Sequence, residues 1–305
     1  MNGTATNGIT TNGATTNGTT SPRHSTARLD GKVAIVTGAG KGIGAGIARE
    51  LFARGASVVV SYNSSATAAN ALVADLNGSS NPKAEKDNDA NNGPHNDDHN
   101  NENTNTHTAI ALQADVTSIP SIDSLFTQSK SHYGHIDIVI SNSGTEHFSP
   151  LPSTTAQDFD AVFALNTRAQ FFVAQAAFSH LSNHGRLILM SSISAHNAIK
   201  HHAVYAGSKC AVEAFARCLA PEFGERGVTV NSIAPGGVKT DMAADVGWRY
   251  IPGADSGWGI DEIEAFVSKR TPMGRMALPV DVGRVVGFLA SEDGGWVSGE
   301  SCSSL

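Results

Sequence analysis

KVAIVTGAGKGIG, residues 32–44, decides the fold. Its first half is an unbroken apolar run, the pattern of a strand buried on both faces. Its second half is a glycine-rich turn, and residues 43–53 after it carry a helical pattern. The same alternation repeats outward. SVVVSY (57–62) predicts a second strand, followed by a helix through Leu76. AIALQA (109–114), IDIVIS (136–141), RLILMS (186–191) and VTVNSI (228–233) predict four more, each after a helical stretch. Short apolar strands alternating with helices build a parallel sheet covered on both faces. With right-handed crossovers this is an α/β, doubly wound parallel sheet.

Two stretches fall outside that pattern. Residues 1–26 are almost wholly Asn, Gly, Thr, Ala and Ser, with an imperfect repeat NGTAT, NGITT, NGATT, NGTT. Residues 77–108 hold ten Asn and, as apolar side chains, only Ala84 and Ala90. Neither buries enough apolar surface to offset its ordering entropy, so a disordered tail and a disordered surface insertion are expected. About 250 residues remain, the size of one domain spanning 27–305. Net charge is −7, and no basic stripe is present, which argues against nucleic acid or an anionic membrane as partner. No apolar run reaches the ~18 residues of a spanning helix. The first 26 residues lack a secretory apolar stretch, and the three cysteines share no ligand spacing, so the cytoplasm is the expected compartment. His95 and His99 stand four apart, but in Asn/Asp low complexity, so no metal site is expected there. By helical period Cys210 faces away from Tyr205, which predicts a core thiol.

The turn 37–44 sits between a strand and a helix. That context lets Gly38, Gly42 and Gly44 bring the backbone close to a diphosphate, with Ile43 beside them, at the helix N-terminus. An NAD site places a carboxylate at the end of the second strand to hold the ribose hydroxyls. Here that strand ends Tyr62-Asn63-Ser64, and nothing there repels a 2′-phosphate. Lys41, in the loop, supplies a cation; otherwise it is a solvated loop residue. Together these features favour NADPH/NADP as cofactor.

Tyr205 and Lys209 lie in AVYAGSKCAV, four apart on one helix face. A tyrosine titrates near 10, and an adjacent ammonium stabilises its phenolate and lowers that value. Ser192 follows RLILMS at the carboxyl end of a strand, where ligands bind in such sheets. Asn166, in ALNTRAQFF, is placed to hold Lys209 through a water.

TGAGKGIG, SNSG (141–144), LNT (165–167), MSS (190–192), Tyr-x-x-x-Lys and APGGVKTD (234–241) stand in the order seen in short-chain dehydrogenases/reductases. The chain resembles that family over residues 29–299. NTRAQFFVAQAA, GRLILMSS, HAVYAGSK, APGGVKTDM, RYIP (249–252) and GFLASEDGGWVSG (287–299) resemble the fungal polyhydroxynaphthalene and anthrol (versicolorin-type) reductases. The resemblance implies a Rossmann-type single domain, a homo-oligomer (tetramer or dimer) and a small aromatic substrate. By it, Tyr205 donates the proton, Lys209 lowers its pKa and holds the nicotinamide ribose, Ser192 binds the carbonyl and Asn166 anchors a relay water. Asn142, Ser143 and Gly144 line the cofactor, Asp115 and Val116 face the adenine, and Pro235, Gly236, Val238 and Thr240 lie by the nicotinamide. The implied reaction is hydride transfer to the keto tautomer of a polyhydroxylated aromatic polyketide.

Residues 241–278 form a long connection, expected as a helical substrate lid. Met242, Trp248, Tyr250 and Trp258 either cover a flat ring or pack the lid onto the body. Glu146 and His147, after the SNSG turn, either contact substrate hydroxyls or are plain loop polarity. Asp241 follows Thr240 as a helix cap. Arg270 stands where naphthol reductases tend to carry an aromatic, which counts against a naphthalene-sized substrate. The Ser192–Tyr205 spacing is one shorter than in some relatives, and GESCSSL ends the sequence where relatives continue through a last strand. Two alternatives stay open: an NADP-dependent enzyme for a non-aromatic alcohol or ketone, and a non-catalytic NADP-binding protein.

Overall fold

A computed structural model describes residues 27–79 and 107–304. The tail, most of the Asn-rich insertion and the His95–His99 pair lie outside the described residues.

Seven parallel strands form one sheet in the order β3-β2-β1-β4-β5-β6-β7. They are β1 Val33–Val36, β2 Ser57–Tyr62, β3 Ala109–Gln113, β4 Ile138–Ser141, β5 Arg186–Met190, β6 Thr229–Pro235 and β7 Ser301–Ser304. The helices are α1 Gly42–Ala53, α2 Ala66–Ser79, α3 Ile119–Tyr133, α4 Ala156–Phe163, α5 Ala169–His180, α6 Ala203–Gly224, α7 Asp241–Val246, α8 Ile260–Ser268 and α9 Pro279–Ala290. Period-two alternation sends strand side chains to opposite faces. Ala34, Val36, Val58 and Ile140 pack with Ile47, Leu51, Val286 and Leu289 of α1 and α9. Ile35, Val59, Val139 and Leu187 pack with Phe126, Val173, Val212 and Phe223 of α3, α5 and α6. The chain runs outward from β1 through β2 to β3, then crosses back to β4 on the other side of β1. Ligands bind at such a switch point, outside the carboxyl ends of the strands.

Three sequence expectations need correction. Helix α2 continues to Ser79, three residues into the stretch predicted to be disordered. The Asn77 amide explains this, because it pairs with both backbone groups of Ala109 at the start of β3 (2.7 and 3.0 Å). A seventh strand, β7, is present within GESCSSL, where the sequence predicted six. SCSS pairs with Ser232–Pro235 of β6, held by backbone hydrogen bonds rather than an apolar pattern. Cys210 is exposed rather than in the core, with its Sγ 3.2 Å from the Ala195 carbonyl. Among the described residues no helix is long and apolar enough to cross a membrane.

Candidate active site

The phosphate loop lies at the carboxyl end of β1. Gly38 and Gly42 adopt φ of +61° and +58°, the left-handed region that glycine tolerates. The loop thus reaches α1 within five residues. Lys41, at the helix cap, is extended and makes no side-chain cap, and the first turn of α1 carries no acid. Its N–H groups and partial positive charge therefore remain available to an anion, so these residues fit a diphosphate. Gly44 holds the loop tight: a Cβ there would lie 2.5 Å from the Gly38 carbonyl and 2.6 Å from Asn142 Nδ2. Asn142 in turn donates from that nitrogen to the Thr37 carbonyl at 2.9 Å. Asn63 and Ser64 are exposed at the end of β2, beside no carboxylate of their own strand, and Lys41 is exposed in the loop. Asp115 accepts from the Thr117 amide and hydroxyl (2.9 and 2.7 Å), while Val116 is buried in the core.

Ser143 donates its amide to Thr37 Oγ1 at 3.2 Å. Beyond it, Asn166 clamps the turn after β4. Its Oδ1 accepts from the Thr145 amide at 2.8 Å, and its Nδ2 donates to the Thr145 carbonyl (2.9 Å) and to Ser208 Oγ (3.2 Å). Asn166 sits in a π-helical turn, Ala164–Arg168, between α4 and α5, a distortion common at functional positions. Its amide is thus committed to Thr145 and Ser208, and Gly144 lies between it and Lys209, since a Cβ on Gly144 would be 3.2 Å from Asn166 Oδ1 and 3.4 Å from Lys209 Nζ. Pro235 and Gly236 close β6, Val238 packs into the core, and Thr240 Oγ1 accepts from the Ala243 amide. Thr240, not Asp241, is therefore the α7 cap. Its methyl lies 3.6 Å from where a Gly42 Cβ would stand, which joins the 241–278 segment to the phosphate loop.

Ser192, Tyr205 and Lys209 converge as the spacing predicts. Ser192 lies two residues past the end of β5 and caps a short 3₁₀ turn, Ile193–Ala195, accepting from the Ser194 amide at 3.2 Å. Tyr205 and Lys209 sit in the first two turns of α6, both buried. Lys209 Nζ donates to the Met190 carbonyl at 2.9 Å and lies 5.6 Å from the centre of the Tyr205 ring. Burial pushes the Lys209 ammonium down to about 8, opposed by the Glu146 charge. The Tyr205 phenol is raised, not lowered: burial dominates, the Glu146 carboxylate adds to it, and the Ser192 hydrogen bond opposes. The four-residue spacing brings the Lys209 ammonium near the phenol but does not encode the burial or the Glu146 carboxylate that outweigh it.

The residues flanking this cluster form an aromatic and acidic wall. Tyr250, in the turn after α7, donates to Glu146 Oε1 at 2.7 Å and lies 3.1 Å from His202 Nε2. The His202 ring stacks between Phe148 (4.0 Å, 25°) and Tyr205 (4.5 Å, 30°), with Nδ1 2.9 Å from the His147 carbonyl. Burial raises the Glu146 carboxyl and the Tyr250 phenol. Glu146 Oε2 and His147 Nε2 are buried without a hydrogen-bond partner among the described residues. Tyr250 and Glu146 thus lie against the Ser192, Tyr205 and Lys209 cluster. Trp248 and Trp258 instead pack on Ile251, Ile263 and Met276 within the 241–278 segment, and Met242 is half exposed. Arg270, exposed just past α8, stacks at 3.6 Å on Phe266, which is half-buried and packs against the Ile251, Ile263 and Met276 cluster. Sequence reasoning missed His202 and Phe148. The available signal for His202 was its place one helical turn before Tyr205.

His202 also gives the protein a pH response. Burial pushes its imidazole down to about 4, against 6.5 for a free histidine. Between those values the unfolded chain binds the extra proton, so this contribution is whole above pH 6.5 and is lost as pH falls towards 4. The loss amounts to about 3 kcal/mol. The raised Glu146 carboxyl has the opposite sign, since its stabilisation declines as pH rises. Denaturant titrations at pH 7 and 4.5 are expected to show wild type losing more stability than His202→Phe; equal losses contradict the assignment.

The family model described as short chain dehydrogenase matches residues 32–86, and the one described as enoyl-(acyl carrier protein) reductase matches residues 88–303. A hydroxynaphthalene reductase of Aspergillus fumigatus is 48% identical over 89% of this chain and 90% of its own length. Elsinochrome reductase 1 of Elsinoe fawcettii is 45% identical over 90% of this chain and 94% of its own. A Burkholderia cenocepacia short-chain dehydrogenase, solved in complex with NADP, superposes with a TM-score of 0.73 at 29% identity, covering 91% of this chain and 97% of that one. The chain belongs to the short-chain dehydrogenase/reductase family and is an NAD(P)H-dependent oxidoreductase.

Proposed function

We propose that the protein uses NADPH to reduce the keto tautomer of a polyhydroxylated aromatic polyketide of the anthrol, hydroquinone or naphthol type. The observation that carries this reading is the wall of Phe148, His202, Tyr250 and Glu146 beside Tyr205. Its rings offer faces to a flat substrate, and its carboxylate offers an acceptor to a phenol. Glu146 Oε2, 3.6 Å from His202 Nε2 but without a hydrogen bond to it, and His147 Nε2 supply further polar atoms in a buried place, where an unmade hydrogen bond costs ~1–3 kcal/mol. The hydroxynaphthalene and elsinochrome reductases among its relatives support the same substrate class.

NADPH, when bound, supplies the hydride. The α1 N-terminus and the loop 38–44 would hold its diphosphate, and Lys41 with the carboxylate-free Asn63–Ser64 end would accept its 2′-phosphate. Asp115 and Val116 would border the adenine; Asn142 to Gly144, Pro235, Gly236, Val238 and Thr240 would border the nicotinamide half. On the substrate, Ser192 Oγ hydrogen-bonds the carbonyl oxygen and Tyr205 donates its proton to that oxygen as charge develops. The high phenol pKa keeps Tyr205 protonated at neutral pH, the state a proton donor needs. Lys209 offsets the phenolate once the proton has left, and Asn166 fixes the turn at Gly144–Thr145 against α6. The segment 241–278 acts as the lid, with Tyr250 its contact to substrate and Met242 at its edge.

The test is cofactor oxidation with hydroxynaphthalenes and dithionite-reduced hydroxyanthraquinones, run with NADPH and with NADH. Turnover of at least one of these rings, with NADPH preferred, is expected. Turnover confined to aliphatic ketones overturns the substrate class, and a preference for NADH overturns the cofactor.

A further inference from the structure

One buried carboxylate near the site has no part in the chemistry above. Glu213 follows Lys209 by one helical turn, and Tyr205 by two, on the same face of α6; it is 5% exposed. Its Oε1 accepts from Ser191 Oγ at 3.0 Å and lies 3.0 Å from His196 Nε2. These partners bracket the turn that carries Ser192. Ser191 immediately precedes Ser192, with its amide tied to the Ile233 carbonyl of β6 at 2.7 Å and its Oγ also 3.2 Å from the Lys209 carbonyl. His196 closes the turn, its amide donating to the Ile193 carbonyl at 2.9 Å. A single carboxylate oxygen thus grips both ends of a six-residue segment, 191–196, from the helix that carries Tyr205 and Lys209.

We propose that Glu213 is a positioning residue that fixes the Ser192 hydroxyl relative to Tyr205 and Lys209. The inference rests on the catalytic roles given above for those three residues. A buried carboxylate keeps its place only while its donors hold it, and a hydroxyl displaced by about 1 Å costs ~10²-fold in rate. Without the carboxylate the turn keeps its anchor on β6 and its contacts with the Lys209 carbonyl and Cys210 Sγ of α6, but loses the one group that grips both of its ends. Cofactor binding does not depend on that grip, because the phosphate loop lies across the sheet at β1.

The experiment compares wild type, Glu213→Leu, Glu213→Gln and the double variant Ser191→Ala/His196→Ala, with Tyr205→Phe in parallel. Each is assayed with a ketone that wild type reduces, normalised to bound NADPH. Glu213→Leu is expected to lower kcat about 30-fold or more, with NADPH affinity within about threefold. The isotope effect with 4-deuterated NADPH should rise as hydride transfer becomes slower than the other steps. Glu213→Gln, which keeps an oxygen in the same place, should recover most of the rate. The double variant should match the Leu variant, and it replaces that variant if burying leucine there prevents folding. Wild-type kcat per bound NADPH in Glu213→Leu, or in the double variant where that is the one that folds, overturns the proposal while Tyr205→Phe stays inactive. If Tyr205→Phe keeps its activity, or wild type reduces no ketone at all, the catalytic reading falls and takes this inference with it.

Discussion

Tyr205→Phe is expected to lower kcat about 10³-fold, within the range removed with a general acid. The phenol is a proton donor placed beside Ser192, and phenylalanine keeps the ring that stacks on His202 at 4.5 Å while deleting only the hydroxyl. Removing the hydroxyl also removes a buried polar atom that faces the Glu146 carboxylate, so folding stability should fall little. NADPH affinity should stay within about threefold, since Tyr205 does not touch the phosphate loop. Steady-state kinetics and an NADPH fluorescence titration separate the two quantities. A variant that keeps more than about a tenth of the wild-type kcat contradicts the assignment, because such a loss lies below the usual yield of a general acid.

Gly44→Ala has the second-largest expected effect, and it acts on the cofactor. The added methyl would stand 2.5 Å from the Gly38 carbonyl, 2.6 Å from Asn142 Nδ2 and 2.9 Å from the Ala39 Cα, two of which are backbone. Backbone cannot rotate away, so the loop 38–44 and the N-terminus of α1 must separate. A shift of this kind is expected to weaken NADPH binding about 100-fold and to destabilise the fold by ~1–3 kcal/mol. Alanine at Gly78, where nothing lies within 4 Å, is the matched control and should leave NADPH binding unchanged. Equal affinities for the two variants contradict the role given to the loop.

The layout of the sheet was legible because the first six strands carry short apolar runs between helical stretches, most plainly in VAIV and RLILM. Tyr205 and Lys209 were legible because four residues is a helical repeat, and Ser192 because it follows a strand at its carboxyl end. The misses share a cause. SCSS pairs through its backbone and carries no apolar signal, so β7 was invisible. The extra turn of α2 depends on Asn77 reaching Ala109, 32 residues away. Helical period does not say whether the Cys210 side of α6 meets solvent, and Cys210 is exposed. The acidic wall joins Glu146 to Tyr250 across 104 residues, a pairing no local pattern encodes. The direction of the Tyr205 shift comes first from burial and then from the Glu146 carboxylate, neither of which a local pattern encodes.

The central claim is that hydride passes to a carbon of a hydroxylated aromatic ring. Wild-type protein given 4-deuterated NADPH and a dithionite-reduced hydroxyanthraquinone, with the product examined by mass spectrometry and NMR, tests it directly. The account predicts one deuterium on the carbon that bears the new alcohol, and none with Tyr205→Phe over the same time. Bound NADPH with no deuterium in any aromatic product, while an aliphatic ketone takes it up, would contradict it.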